Sequence, residues 1–214
     1  MRKVFVVFLL WLGSMLPVFS DAPIRIAAFG DSLVHGYGLP PEHGFVPQMQ
    51  KWLQDHGRKV EMINAGVSGD TTAGGAARID WTLSDNVDGM IIVLGGNDLL
   101  RGIAPEIARA NLEAIVKKAR AANVEILLVG MDAPGNYGPE YKLAFDAIYP
   151  DLAAAGDAVL YENFFTALGA DAEDPARLNE VMQSDGIHPN ATGVSLIVAD
   201  MGPKVLEMIG RIGK

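Results

Sequence analysis

Beyond residue 20, short apolar runs alternate along the chain with longer stretches that carry apolar residues at helical spacing. The short runs predict five strands, at residues 24–29, 60–65, 90–94, 124–129 and 158–161. The longer stretches predict four helices, at residues 44–56, 105–122, 139–155 and 191–209. The last helix has two candidate N-caps, Asn190 and Thr192.

This alternation indicates an α/β fold in which a parallel sheet with right-handed crossovers is covered by helices on both sides. No linker, internal repeat or low-complexity segment interrupts the pattern, so residues 21–214 are predicted to form one domain. Ligands of such sheets bind beyond the carboxyl ends of the strands, where the strand order reverses. The polar, glycine-rich stretches at 30–32, 66–75 and 95–98 each follow a predicted strand, so the functional site is expected there.

The first twenty residues have the composition of a signal peptide. Arg2 and Lys3 precede an apolar run at 4–12, and small residues permit cleavage after Ser20 or Ala22. Glycine, serine and proline interrupt the run before it reaches the roughly 20 residues that a membrane span needs. A retained anchor is the alternative, but no stable membrane anchor is expected after cleavage.

The charge of the chain limits its partners. The formal net charge is -9, and removal of the leader would leave 15 positive against 26 negative residues. Such a surface repels phosphate backbones and anionic membranes, so nucleic acid is not an expected partner. The chain has no cysteine, which excludes disulfides and thiol chemistry.

A serine nucleophile needs a base, and the chain has four histidines. Three of them lie at a polar helix end, in a Pro/Gly-rich loop or too close in sequence to the serine: His56, His43 and His35. His188 instead follows Asp185 by three residues, with a glycine between them to turn the chain. Asp185 could therefore orient His188 towards Ser32, which predicts a catalytic triad of these three residues.

An acyl-transfer site also needs donors for the oxyanion. The candidates are the backbone N–H groups of Ser32 and Gly69 and the side-chain amide of Asn97, all of which follow predicted strands. Asp31 is expected to be a hydrogen-bonding loop residue. Each of these residues alone is more often a turn or cap residue, and only their combination predicts an active site.

Four sequence blocks resemble the conserved blocks of the SGNH (GDSL) hydrolase family: Gly30-Asp31-Ser32-Leu33, Ser68-Gly69-Asp70-Thr71, Gly95-Gly96-Asn97-Asp98 and Asp185-Gly186-Ile187-His188-Pro189. Further segments are similar to its bacterial thioesterase I/lysophospholipase and arylesterase group: Gly36-Tyr37-Gly38-Leu39, Leu99-Leu100-Arg101-Gly102, Asn136-Tyr137-Gly138 and Ala147-Ile148-Tyr149-Pro150. The resemblance covers nearly the whole chain after the leader. It implies a flavodoxin-like three-layer αβα sandwich and an acyl-serine mechanism without metal or cofactor.

The resemblance also suggests substrates, namely aryl and acyl carboxylic esters, acyl thioesters and lysophospholipids. Two alternatives remain open, a carbohydrate acetylesterase with the same triad and a non-catalytic binding protein on the same fold. The segments 99–103 and 133–138 follow the third and fourth predicted strands and are candidate walls of an acyl pocket, with Leu99, Arg101, Ala133 and Pro134 as candidate substrate contacts. Ordinary surface loops are the alternative for these residues. The partner is expected to be a small-molecule or lipid ester, and the protein a monomer.

The leader predicts a periplasmic or secreted bacterial protein. Fractionation of cells that express the full chain should therefore place esterase activity outside the cytosol. Activity that stays in the cytosol would contradict the prediction.

Overall fold

The computed structural model describes residues 22–169 and 175–213, so the predicted leader lies outside the described residues. Five parallel strands form one sheet in the order β2-β1-β3-β4-β5. The strands are β1 (Ile24–Gly30), β2 (Val60–Gly66), β3 (Gly89–Val93), β4 (Glu125–Val129) and β5 (Val159–Tyr161). All five predicted strands are confirmed, and the order is that of flavodoxin-like sheets.

Burial explains why the central strands consist almost entirely of apolar residues. Every residue of β3 and the last five residues of β1 are buried, because helices cover both faces of the sheet at these strands. The edge strand β2 includes exposed and half-buried positions.

Nine helices belong to the described part of the chain: α1 (Ser32–His35), α2 (Phe45–Asp55), α3 (Thr72–Leu83), α4 (Gly96–Leu100), α5 (Pro105–Ala121), α6 (Pro139–Asp146), α7 (Ile148–Ala155), α8 (Pro175–Val181) and α9 (Ala191–Ile209). Helices α2 and α9 pack together as one layer, and α3, α5, α6 and α7 form the other. The predicted three-layer α/β fold is therefore confirmed. No helix in the described ranges is long and apolar enough to span a bilayer.

Helix α3 begins within the glycine-rich stretch 66–75 and was not among the predicted helices. Thr71 caps it by accepting a hydrogen bond from the N–H of Gly74. A side chain at Gly75 would collide with Leu94 and press on Phe29, so glycine there lets the helix approach the sheet closely. Tertiary packing therefore outweighs the low helix propensity of glycine at this position.

The single helix predicted over residues 139–155 is two helices, α6 and α7, separated at Ala147. Pro150 explains the break, because it has no N–H to donate to the carbonyl of Asp146 and its ring crowds that carbonyl. The N-cap of α9 is Asn190, whose side chain accepts hydrogen bonds from the N–H groups of Thr192 and Gly193.

Candidate active site

The strand order reverses at β1, whose two neighbours are β2 and β3. Ser32 lies just beyond the carboxyl end of β1, and Asn97 lies beyond that of β3. A cavity of about 720 Å³ opens at this point, and both residues line it. The site thus lies at the topological switch point, where the sequence analysis expected it.

Ser32, His188 and Asp185 form a continuous chain of hydrogen bonds. The Ser32 Oγ lies 2.8 Å from His188 Nε2, and His188 Nδ1 lies 2.7 Å from Asp185 Oδ2. The other oxygen of Asp185 accepts the backbone N–H groups of Ile187 and His188, at 2.9 and 3.0 Å. These distances bring together the three residues that the sequence analysis had singled out as a triad.

Hydrogen bonds keep Asp185 ionised. The backbone N–H of His188, its ring N–H and the backbone N–H of Ile187 together lower the pKa of Asp185 to about 2. An ionised Asp185 can only accept, so it assigns the proton to Nδ1 of His188 and leaves Nε2 free to accept from the Ser32 hydroxyl.

Asp31 connects Asn97 to the nucleophile turn, which is the turn after β1 that carries Ser32. Its Oδ1 accepts the N–H of Leu33 at 3.0 Å and so caps α1, while its Oδ2 accepts Asn97 Nδ2 at 3.3 Å. The Asp31 side chain is almost fully buried, and this burial raises the pKa of its carboxyl to about 6. The carboxylate thus orients the Asn97 amide at the cost of being desolvated.

Gly69 lies on a loop that is held from both sides. Its φ is +81°, a conformation that favours glycine, and its carbonyl accepts Arg101 Nη2 at 2.9 Å. The next residue, Asp70, pairs with Arg78 at 2.7 Å. Within the described part of the chain, the N–H groups of Ser32 and Gly69 have no hydrogen-bond acceptor, which leaves both free to bind an oxyanion.

Arg78, on α3, fastens this loop to the ends of two strands. Besides Asp70, its guanidinium donates to the carbonyls of Ala65 in β2 and Gly30 in β1, each at 2.8 Å. It also lies 4.1 Å from the centroid of the Phe29 ring. One side chain therefore holds the nucleophile turn and the Gly69 loop in a fixed relation.

A second link joins α3 to α4, the helix that carries Asn97. The fully buried Asp98 carboxylate accepts the N–H of Thr72 at 2.9 Å and its hydroxyl at 2.6 Å. Asn111 of α5 donates to the same hydroxyl at 3.1 Å. Asn97 is thereby fixed relative to the Gly69 loop.

The predicted substrate contacts divide into two pairs. Leu99 and Pro134 line the cavity. Arg101 is not among the described lining residues, and its guanidinium donates to the carbonyl of Gly69. Ala133 is only 3% exposed and its N–H donates to Asp146. The structure thus places Leu99 and Pro134 at the cavity wall and brings neither Arg101 nor Ala133 into its described lining.

Leu100 and Tyr137, which lie in the segments 99–103 and 133–138 predicted as candidate walls, line the cavity. Further apolar lining residues were not predicted; they come from the segments after β4 and β5, from the residues before the loop that carries Asp185 and His188, and from that loop: Met131, Phe165, Leu168, Leu178, Met182 and Ile187. Their position beyond strand ends was an available signal, but residues 162–183 had been left without an assigned element. None of the described lining residues is a lysine or an arginine.

The raised pKa of Asp31 predicts how stability depends on pH. An unfolded chain ionises this carboxyl near 3.8, whereas the folded chain does so near 6, so its contribution to stability is lost as the pH rises from about 4 through 6. Asp31→Asn cannot ionise. The free energy of unfolding, variant minus parent, should therefore rise by about 2.5 kcal/mol between pH 4 and pH 8. Denaturant unfolding of both proteins at both pH values measures this, and a pH-independent difference would contradict it.

The sequence profile of the GDSL-like Lipase/Acylhydrolase family matches residues 28–196. The esterase TesA of Pseudomonas aeruginosa is 36% identical over 181 residues, which cover 84% of this chain and 87% of that protein. The thioesterase 1/protease 1/lysophospholipase L1 of Escherichia coli is 37% identical over 180 residues, 83% of this chain and 81% of that protein. The crystal structure of AlinE4, an SGNH-hydrolase family esterase, superposes with a TM-score of 0.70 at 42% identity, covering 87% of this chain and 96% of that one. The chain therefore belongs to the GDSL-like lipase/acylhydrolase family.

Proposed function

We propose that the protein hydrolyses carboxylic esters through an acyl intermediate on Ser32. The observation that carries the proposal is the hydrogen-bond chain from Ser32 through His188 to Asp185 at the wall of an apolar cavity. The printed names of the relatives, esterase, arylesterase and thioesterase 1/lysophospholipase L1, support the same class of reaction.

In the first step, Ser32 Oγ attacks the ester carbonyl carbon while His188 Nε2 takes the hydroxyl proton. Throughout, Asp185 accepts a hydrogen bond from the Nδ1–H group of His188 and stabilises the imidazolium that forms. His188 then gives the proton to the leaving alcohol or thiol as its bond to the acyl carbon breaks. In the second step His188 Nε2 takes a proton from water, whose oxygen attacks the acyl carbon. The bond from that carbon to Ser32 Oγ then breaks, His188 returns the proton to Oγ, and the acid is released.

In this proposal three donors stabilise the tetrahedral oxyanion, namely the backbone N–H groups of Ser32 and Gly69 and the Nδ2 of Asn97. All three residues line the cavity. Fixed donors of this kind act where charge develops and need little reorganisation during the reaction. Asp31 supports the set because its carboxylate orients the Asn97 amide.

The cavity favours substrates with an uncharged apolar acyl or aryl group. Its walls are formed mainly by leucine, isoleucine, methionine and aromatic side chains, and its charged lining groups include the Asp132 carboxylate. A carbohydrate acetate would leave most of this apolar wall without a partner. Aryl and acyl esters, acyl thioesters and lysophospholipids therefore fit the site better than sugar acetates.

The decisive test is hydrolysis of p-nitrophenyl esters, from acetyl to palmitoyl, by the leaderless protein and its Ser32→Ala variant. The variant should lose at least about 10³-fold in kcat, because no other group can form the acyl intermediate. Ser68→Ala is the matched control, since Ser68 also lines the cavity and should leave most activity intact. A Ser32→Ala protein as active as the parent would refute the mechanism, and an inert parent would leave a binding protein or a specialised acetylesterase.

Loss of one oxyanion donor should lower turnover without loss of the fold. Asn97→Ala is expected to reduce kcat by about 10²–10³-fold, which corresponds to about 2.7–4 kcal/mol of transition-state stabilisation. Asn136→Ala removes a second asparagine from the cavity wall and serves as the control, for which a small change is expected. An unchanged kcat in Asn97→Ala would remove Asn97 from the mechanism.

A further inference from the structure

Gln183 makes more contacts to the triad loop than the mechanism above requires. Its backbone N–H donates to the carbonyl of His188 at 2.8 Å, and its own carbonyl accepts the N–H of Gly186 at 3.0 Å. Its side-chain Nε2 donates to the carbonyl of Pro189 at 3.0 Å. These three bonds close the loop that carries Asp185 and His188 upon itself.

The same side chain also reaches the other half of the active site. Gln183 Nε2 donates to the carbonyl of Tyr37 at 2.8 Å, across 146 positions of sequence. Tyr37 follows the short helix α1 that begins with Ser32, and its N–H is bonded to the carbonyl of Ser32 at 3.1 Å. The Gln183 amide thus links the segment of the nucleophile to the segment of the base.

The turn after Tyr37 is shaped to receive this amide. Gly38 has a φ of +76°, and a side chain there would collide with the Gln183 carboxamide. A glycine at this position therefore removes both the backbone strain and the steric block.

Tyr37 itself packs against the imidazole of His188. The two ring centroids are 4.8 Å apart, with an angle of 40° between the ring planes. Asp185 and Ser32 hold the two nitrogens at the ring edge, and Tyr37 covers one face, so the imidazole is restrained in a third direction. An aromatic face at this distance also attracts the positive charge that His188 gains during acyl transfer.

We propose that Gln183 is a positioning residue, which acts through Tyr37 and the triad loop to hold His188 against Ser32. This inference rests on the proposed function. The Gln183 side chain is not among the described lining residues of the cavity, so its effect on turnover should be separable from substrate binding.

The test is Gln183→Met, which keeps the length of the side chain and removes its two donated hydrogen bonds. We expect kcat on a p-nitrophenyl ester to fall at least tenfold with KM changed less than twofold. Labelling of Ser32 by a small serine-directed phosphonate should slow by a similar factor, because it depends on the same activation of the hydroxyl.

Gln48→Met is the matched control for a structural effect. Gln48 also donates to two carbonyls, those of His43 and Ala191, but it is not among the described residues at the cavity. It should lower Tm about as much as Gln183→Met and leave kcat and the labelling rate unchanged. Equal losses of kcat in both variants would show a general loss of stability and overturn the proposal.

Variants of Tyr37 separate positioning from substrate contact, because Tyr37 does line the cavity. Tyr37→Ala should lower kcat, and the double variant Tyr37→Ala/Gln183→Met should lose little more than Gln183→Met alone. A raised KM at constant kcat in Tyr37→Ala would overturn the role given to Tyr37.

The outcomes also separate this inference from the proposed function. If the parent is active and Gln183→Met matches it in kcat and labelling rate, the inference about Gln183 fails while the proposed function stands. If the parent neither hydrolyses esters nor reacts with the phosphonate, the proposed function fails first.

Discussion

The hydrogen bond between Ser32 and His188 joins two segments that lie 156 positions apart in the sequence, and its short length depends on most of the surrounding architecture. The Ser32 side is fixed by the end of β1 and by the Asp31 cap, and the His188 side by the start of α9 and the folded triad loop. Both sides meet only because the sheet reverses its strand order at β1 and brings the last helix across to α2. A displacement of either segment would lengthen or break this hydrogen bond.

Several restraints therefore converge on the site from different layers of the fold. Arg78 joins the ends of β1 and β2 to the Gly69 loop, and Asp98 joins α4 to the start of α3. The buried groups in these links have their hydrogen bonds satisfied, which is the condition under which buried charge is tolerated. Asp31 is the exception in energetic terms, since burial raises the pKa of its carboxyl to about 6 and its ionised form is held at a cost. Asp31 is also the residue that orients Asn97, so the orientation of the amide requires the desolvation of a carboxylate.

The sequence was sufficient to predict the parallel sheet and the residues of the proposed triad. Strand runs such as 90–94 are apolar because they are buried on both faces, and the blocks around Ser32 and His188 carry their chemistry in residue type and spacing. The glycine-rich start of α3 could not be interpreted in the same way, because the reason for Gly75 is contact with Leu94, a residue from another strand end. The same applies to Arg101 and Ala133, whose partners Gly69 and Asp146 lie in separate segments. Long-range contacts of this kind produce no periodic pattern in a single sequence, so the pattern of hydrophobic and polar residues does not predict them.

The groups proposed to act on the ester come from the ends of β1, β2 and β3 and from the triad loop, whereas much of the apolar wall comes from the segments that follow β4 and β5. The bonds made by Arg78, Asp98 and Gln183 hold the first set and do not pass through residues such as Phe165 or Leu168. Replacement of wall residues that follow β4 and β5, such as these two, is therefore expected to leave the reacting atoms in place. A fold built in this way allows selectivity to diverge among descendants, or to be redesigned in the laboratory, while the reaction itself is inherited unchanged.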